Sequence, residues 1–215
     1  GTIENGLIDS TDQWEGSTYI NTLGTVLEGK LTSGVTGSPA LNLGNATFPA
    51  GHVIQTQSYF TNSNSITTVC AANQYSDLGT FQVSITPSST SSKILIRMWM
   101  GAFNFSSTNY GIAGTGVFRR KIGSGSFTTI AEGSGNATWN GTFHLAQTNS
   151  YQYNSGISPI FLDSPNTIEA CTYGIAVADH NNGAQTFYLN QLGSTGNNSY
   201  SPYYASSLIV QEIAG

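Results

Sequence analysis

The stretch that decides the fold is Ile94-Leu-Ile-Arg-Met-Trp-Met100, near the middle of the chain. Its positions 94, 96, 98 and 100 are all apolar, and this alternation predicts a β-strand with one face in a hydrophobic core. The opposite face carries Leu95, Arg97 and Trp99, which we expect to be partly covered.

Other segments on both sides of this strand also have strand patterns. Phe81, Val83 and Ile85 alternate with polar residues, and further β-branched or aromatic runs are bounded by Gly, Asn, Ser and Pro. These runs cover residues 53–59, 117–121, 127–130, 138–145, 168–178, 185–189 and 207–213. Because helical patterns are absent, we expect an all-β fold of about ten strands, an antiparallel β-sandwich or jelly-roll-like domain.

Two of these segments carry more specific signals. Gly123-Ser-Gly125 separates two strand runs and predicts a hairpin. In the run 168–178, one face consists of the small residues Thr172, Gly174, Ala176 and Ala178. Such a face allows close approach of a second layer, within the chain or from another subunit.

The first 47 residues differ from the rest of the chain. Acidic residues are concentrated there, including Asp9, Asp12, Glu15 and Glu28, and the stretch 29–45 places single apolar residues between small polar ones. This composition predicts an extended N-terminal stalk, linker or attachment segment over 1–47, with a flexible tail as the alternative. Residues 48–215 are expected to form the β-sandwich knob domain.

Charge and hydropathy exclude several classes of protein. Only 8% of the residues are charged and the net charge is −5, which argues against nucleic acid as a partner. The one basic cluster, Arg119-Arg120-Lys121, is interpreted as a solvated strand edge. No apolar run has the length of a membrane helix, so we expect no membrane insertion. Cys70 and Cys171 are expected to be buried free thiols, although the sequence leaves pairing open.

Catalytic patterns are not found in the sequence. The histidines His52, His144 and His180 form no metal-binding or hydrolase motif. A carboxylate pair for glycoside cleavage is the best enzymatic hypothesis, but nothing selects two of the available acids. We assign Asp163 to a turn cap. The chain is therefore expected to be a binding protein without enzymatic activity, metal or cofactor.

Several loops combine aromatic and amide side chains. Such loops suit receptor or glycan contacts, subunit interfaces or ordinary packing, since tyrosine offers a large contact area at low entropic cost. Asp179 and its neighbours form a hairpin turn with several oxygen atoms. The candidate contact residues are Trp139, Asn140, Tyr151, Tyr153, Asp179, Asn181, Tyr200, Tyr203 and Tyr204.

Four short sequence motifs, which we call phrases, follow one another along residues 48–214. They are Phe48-Pro-Ala-Gly-His-Val-Ile-Gln55, Ser84-Ile-Thr-Pro-Ser-Ser-Thr-Ser-Ser-Lys-Ile-Leu-Ile96, Phe161-Leu-Asp-Ser-Pro-Asn-Thr167 and Ser206-Ser-Leu-Ile-Val-Gln-Glu-Ile-Ala214. In this order they resemble the C-terminal domain of tail-fibre and virion structural proteins of marine phages, notably cyanophages. The phrases consist of strand and turn residues and define no binding site.

The resemblance implies a homotrimeric component displayed at the virion surface. It further implies recognition of a host-surface glycan or envelope protein, and contact with other virion proteins through residues 1–47. Two alternatives remain. One is a capsid or tail decoration protein without receptor binding, and the other is a secreted carbohydrate-binding module or depolymerase.

Overall fold

The computed structural model describes residues 48–71, 74–106, 113–134, 140–146, 156–180, 184–191 and 204–215. Twelve strands run through these residues, and none of the described segments is helical. The strands are β1 (Val53–Thr61), β2 (Thr67–Cys70), β3 (Ser76–Ile85), β4 (Lys93–Trp99), β5 (Phe103–Phe105), β6 (Ala113–Ile122), β7 (Thr128–Ala131), β8 (Phe143–Ala146), β9 (Ile160–Asp163), β10 (Cys171–Asp179), β11 (Gln185–Leu189) and β12 (Ser206–Ile213). The predicted N-terminal stalk lies outside the described residues.

The strands form three antiparallel sheets, and the predicted all-β sandwich is confirmed. The four-stranded sheet has the order β1-β12-β4-β9. The five-stranded sheet has the order β3-β10-β6-β7, with β8 pairing with β6 beside β7. The three-stranded sheet has the order β2-β11-β5.

The core forms where the inner faces of these sheets meet. Ile94, Ile96, Met98 and Met100 are all buried, as the alternation in β4 predicts. Phe81, Val83 and Ile85 of β3 are buried as well, which confirms the second alternating strand. The three-stranded sheet adds the stacked or edge-on rings of Phe103, Phe105 and Phe187 to the same cluster.

The predicted hairpin is present between β6 and β7. Gly123 has a φ of 53°, a left-handed conformation that glycine adopts without strain, and the Gly125 amide donates to the carbonyl of Ile122 at 2.9 Å. Other boundaries differ from expectation. Residues 140–142, predicted as part of a strand over 138–145, lie outside β8. The strand predicted from residue 168 begins only at Cys171 as β10. Before it, the Thr167 hydroxyl accepts a hydrogen bond from the Glu169 amide and forms a turn. The short strands β2, β5 and β9 were not predicted.

The small-residue face of β10 is covered within the chain itself. Arg119 on β6 reaches over β10 to Asp77 on β3, with 3.1 Å between Nε and Oδ1. The backbone positions between them are Gly174 and Ala176, which leave room for the arginine side chain. Gln82 also lies over Gly174, since an added Cβ there would approach the Gln82 Cγ to 3.1 Å.

Arg120 also departs from the predicted solvated edge, because it points into the core. Its guanidinium donates to both carboxylate oxygens of Asp163 on β9, at 2.9 and 2.8 Å. The hydroxyl of Tyr173 donates to the same carboxylate at 2.8 Å. Asp163 is therefore wrongly assigned to a turn cap. It joins the four-stranded and five-stranded sheets through a buried network of charge-assisted hydrogen bonds.

A second buried carboxylate belongs to Glu212 on β12. It accepts hydrogen bonds from the Ser88 amide at 2.7 Å and hydroxyl at 2.6 Å, from the Ser92 hydroxyl at 2.7 Å, and from the Gln55 amide at 2.6 Å. These donors lie in the first two of the four phrases, and Glu212 lies in the last. Three of the phrases therefore meet at one carboxylate, which gives them a structural role.

Both cysteines are buried free thiols, as expected. Burial, reinforced by the negative charge of Asp179, raises the pKa of Cys70 to about 12. Burial also raises the pKa of Cys171. Because thiolates are the reactive species, both residues are held in an inert form at neutral pH.

We therefore expect both thiols to resist modification in the folded protein. A thiol-reactive disulfide reagent at pH 7.5 should release less than about a tenth of the stoichiometric signal, because reaction requires the thiolate and access. In urea, two equivalents should react at once. Rapid reaction of either cysteine without denaturant would contradict the buried positions.

Candidate functional site

The strand ends that flank four inter-strand connections lie together at one end of the sandwich, which we call the loop end. The described residues that flank them are held together by strand pairing. Asp179 pairs with Gly114, Ala113 with Ala146, and Gln185 with Cys70. The Ser106 hydroxyl donates to the Gln185 side chain at 3.2 Å. The connections that leave or re-enter here are residues 71–75, 106–112, 147–159 and 180–184.

A fifth connection, residues 132–142, approaches the same end. The Tyr75 hydroxyl donates to the backbone carbonyl of Asn140 at 3.0 Å and lies 3.2 Å from the Thr115 hydroxyl. Gly141 permits this approach, because an added Cβ would lie only 2.7 Å from the Cβ of Thr115. The connection is therefore fixed against the five-stranded sheet at its described residues.

Most of the predicted contact residues belong to these five connections. Asn140 is described and half-buried at the loop end. Asp179 ends β10 there and its side chain is buried, so its oxygens do not form an exposed turn surface. The predicted residues Trp139, Tyr151, Tyr153, Asn181, Tyr200 and Tyr203 lie outside the described residues.

Tyr204 lies away from the loop end. Its amide donates to the carbonyl of Asn190, which adopts a left-handed φ of 62° between β11 and β12. The Asn190 side chain donates to the carbonyls of Thr61 and Ser63 and accepts from the Ser206 hydroxyl. The exposed Tyr204 therefore lies at a hydrogen-bonded junction near the start of β12. The predicted contact residues fall into two groups along the chain, one in the five connections and one beside this junction.

Two titratable groups at the loop end, His180 and Tyr75, favour their neutral forms. Burial is the main cause that lowers the pKa of His180, and the nearby His144 lowers it further against the opposing charge of Asp179. Burial raises the pKa of Tyr75. Among the described residues, no three His, Cys, Asp or Glu side chains are close enough to share a metal ion. This end of the sandwich presents hydrogen-bonding groups rather than a charged centre.

Three of the acids considered for glycoside cleavage have structural partners instead. Asp163 is held by Arg120, Glu212 by serine and glutamine donors, and Asp77 by Arg119. A carboxylate held in this way accepts hydrogen bonds from protein donors. Sequence reasoning missed these partnerships because each links residues far apart in the chain.

No protein-family model and no curated protein matches this chain. The structure also contains no helix, within its described residues, of a length and hydropathy that would cross a membrane.

A second exposed surface, which the sequence did not predict, is the outer face of the four-stranded sheet. Trp99 is 51% exposed, and Arg97 beside it is exposed as well, so only Leu95 on this side of β4 is partly covered as expected. Phe60 of β1 and Ile160 of β9 are 67% and 56% exposed on the same face. Residues 160–163 were not predicted as a strand, because Ile-Phe-Leu-Asp is too short to show an alternating pattern.

Proposed function

We propose that this chain is a virion surface protein of a bacteriophage, a tail-fibre or knob domain that attaches the particle to its host by binding a receptor or glycan. The observation that carries the proposal is the meeting of five connections at the loop end. The sequence of these connections contains Trp139, Asn140, Tyr151, Tyr153 and Asn181. Binding residues are frequently found on loops that a rigid scaffold holds together, as at one end of an immunoglobulin sandwich.

The chemistry of these residues suits a sugar or a protein loop. Aromatic rings give a large, rigid contact area, and amides pair with hydroxyl groups in either orientation. The low charge of the chain fits recognition by hydrogen bonds and apolar contact rather than by ion pairs. Under this proposal the protein is a homotrimer and not an enzyme, and linked sites raise the overall affinity through effective concentration.

The alternative of a capsid or tail decoration protein gains support from one observation. The outer face of the four-stranded sheet exposes large apolar side chains, which is typical of a surface that other proteins cover. Both proposals place the chain on the virion, so its position on the particle distinguishes them.

Immunogold electron microscopy tests that position. Antibodies raised against the purified chain are applied to intact virions of the phage that encodes the sequence. We expect gold particles at the tips of fibres. Gold particles distributed over the capsid or along the tail would support the decoration protein instead. If no particle is labelled while denatured virions react on a blot, surface display is contradicted.

A further inference from the structure

Large apolar side chains stand in every row of the outer face of the four-stranded sheet, interspersed with the polar Thr56, Ser58, Ser207 and Gln211. Strand register places Phe60 and Trp99 on either side of Ser207. In the next row, Ile209 and Ile160 lie on either side of Arg97. Leu95 and Leu162 are neighbours in the row after that, and Val53 and Ile213 complete the face. Single exposed apolar residues are ordinary on a protein surface, but Val53, Phe60, Trp99, Ile160 and Leu162 are all about half exposed or more on this one face.

The charged side chains on this face are all positive. Lys93 and Arg97 are exposed, whereas the two carboxylates of these strands, Asp163 and Glu212, point inward to their buried partners. Among the described residues of the face, none is acidic. The face therefore combines large apolar groups with a single guanidinium near its centre.

We propose that this face is where copies of the chain meet. The face is complementary to itself, because each copy offers both the Arg97 guanidinium and the exposed rings of Trp99 and Phe60. A guanidinium stacks on an aromatic ring with favourable energy once both are removed from water. In a trimer, Arg97 of one copy would then contact the rings of the next copy around the threefold axis.

The size of the face fits such an interface. Three strands of about seven residues and the four-residue β9, spaced ~4.8 Å apart with a rise of ~3.3 Å per residue, give a flat footprint of roughly 400 Å². Side chains standing on it add area, since one aromatic side chain can bury roughly 150–250 Å². The face therefore approaches the ~800 Å² per partner that is typical of stable complexes. The inference does not depend on what the loop end binds.

The test compares the solution mass of the full chain with that of two arginine variants, by light scattering and sedimentation over a range of micromolar concentrations. Ile160→Arg places a second charge beside Arg97 in the centre of the face. Val69→Arg is the matched control, because Val69 is equally exposed but lies on the three-stranded sheet. Unchanged circular dichroism spectra confirm that both variants fold.

We expect the wild-type chain and Val69→Arg to have a mass that is a multiple of the chain mass. We expect Ile160→Arg to dissociate to monomer, with association weakened roughly 100-fold or more. A wild-type chain that stays monomeric throughout the range would overturn the inference. So would an oligomer that Ile160→Arg leaves intact, because that result would place the interface elsewhere. Failure of host binding in a separate assay would leave this result unaffected.

Discussion

Replacing Asp163 by alanine should lower the free energy of unfolding by about 3–5 kcal/mol, the range for an ion pair that loses one partner inside a protein. The variant leaves the Arg120 guanidinium without either carboxylate oxygen and the Tyr173 hydroxyl without its acceptor. Burial and the charge of Asp163 raise the pKa of Tyr173, so its phenol stays protonated and needs an acceptor. Urea unfolding at pH 7, followed by fluorescence, measures the loss.

The matched control is Asp77→Ala, which removes the other salt bridge of the five-stranded sheet. The side chains of Arg119 and Asp77 are 20% and 39% exposed, so this pair should contribute less than about 1 kcal/mol. The triple variant Asp163→Leu, Arg120→Met and Tyr173→Phe should recover most of the loss, because apolar replacement of a whole buried polar network is often neutral. Equal small losses for Asp163→Ala and Asp77→Ala would contradict the role of the buried network.

The isosteric variant Glu212→Gln should destabilise the protein by about 2–3 kcal/mol at pH 7, because hydrogen bonds to a charged acceptor are among the strongest. Its carbonyl oxygen can still accept from Ser88 and Ser92, but its amide nitrogen would face the amide of Gln55. Two donors then oppose each other in a buried position.

The same carboxylate gives a dependence on pH. Burial acts to raise the pKa of Glu212, but the hydrogen bonds from Ser88, Gln55 and Ser92 outweigh it and hold the pKa below the ordinary value of 4.5. A carboxyl group whose pKa is lower in the folded protein stabilises it above the unfolded pKa, and this contribution disappears as the pH falls through the folded pKa. The difference in stability between wild type and Glu212→Gln should therefore be constant above pH 4.5 and shrink below it.

Urea titrations between pH 3 and pH 7 measure this difference. The exposed Glu169 provides the control, and Glu169→Gln should follow the wild type at every pH. A difference for Glu212→Gln that does not change with pH, or that grows in acid, would show that the carboxylate is not held in its ionised form.

Local alternation was sufficient to predict the core strands. The buried residues of β4 and β3 follow from a period of two, because every second side chain of a strand points to the same face. The turn at Gly123 was predictable for a similar reason, since a left-handed φ is accessible to glycine. These features depend on neighbours in sequence, and the sequence displays them directly.

Partnerships across the sheets could not be predicted in this way. The polar cluster containing Arg119 and Arg120 gave no sign that one arginine enters the core and the other crosses β10. Their directions depend on Asp163 and Asp77, which lie more than forty residues away in the chain. Glu212 is a similar case, because an acid inside an apolar strand shows its purpose only when the serine turn before β4 is placed beside it.

The candidate site was predictable in composition but not in position. Aromatic and amide residues marked the loops, whereas strand order decides that the connections after β2, β5, β8 and β10 reach one end while Tyr204 lies elsewhere. The apolar face of the four-stranded sheet depends on β9, a strand too short to show a clear pattern.

Binding of the fluorescently labelled chain to intact cyanobacterial cells, measured by flow cytometry across a panel of strains, tests the proposed attachment function most directly. The chain should bind at least one strain, and the double variant Tyr151→Ala with Tyr153→Ala should lose binding by tenfold or more with an unchanged melting temperature. The control Tyr19→Ala, outside these connections, should bind as the wild type does. Binding to no strain, or equal binding by all three proteins, would contradict host attachment through the loop end.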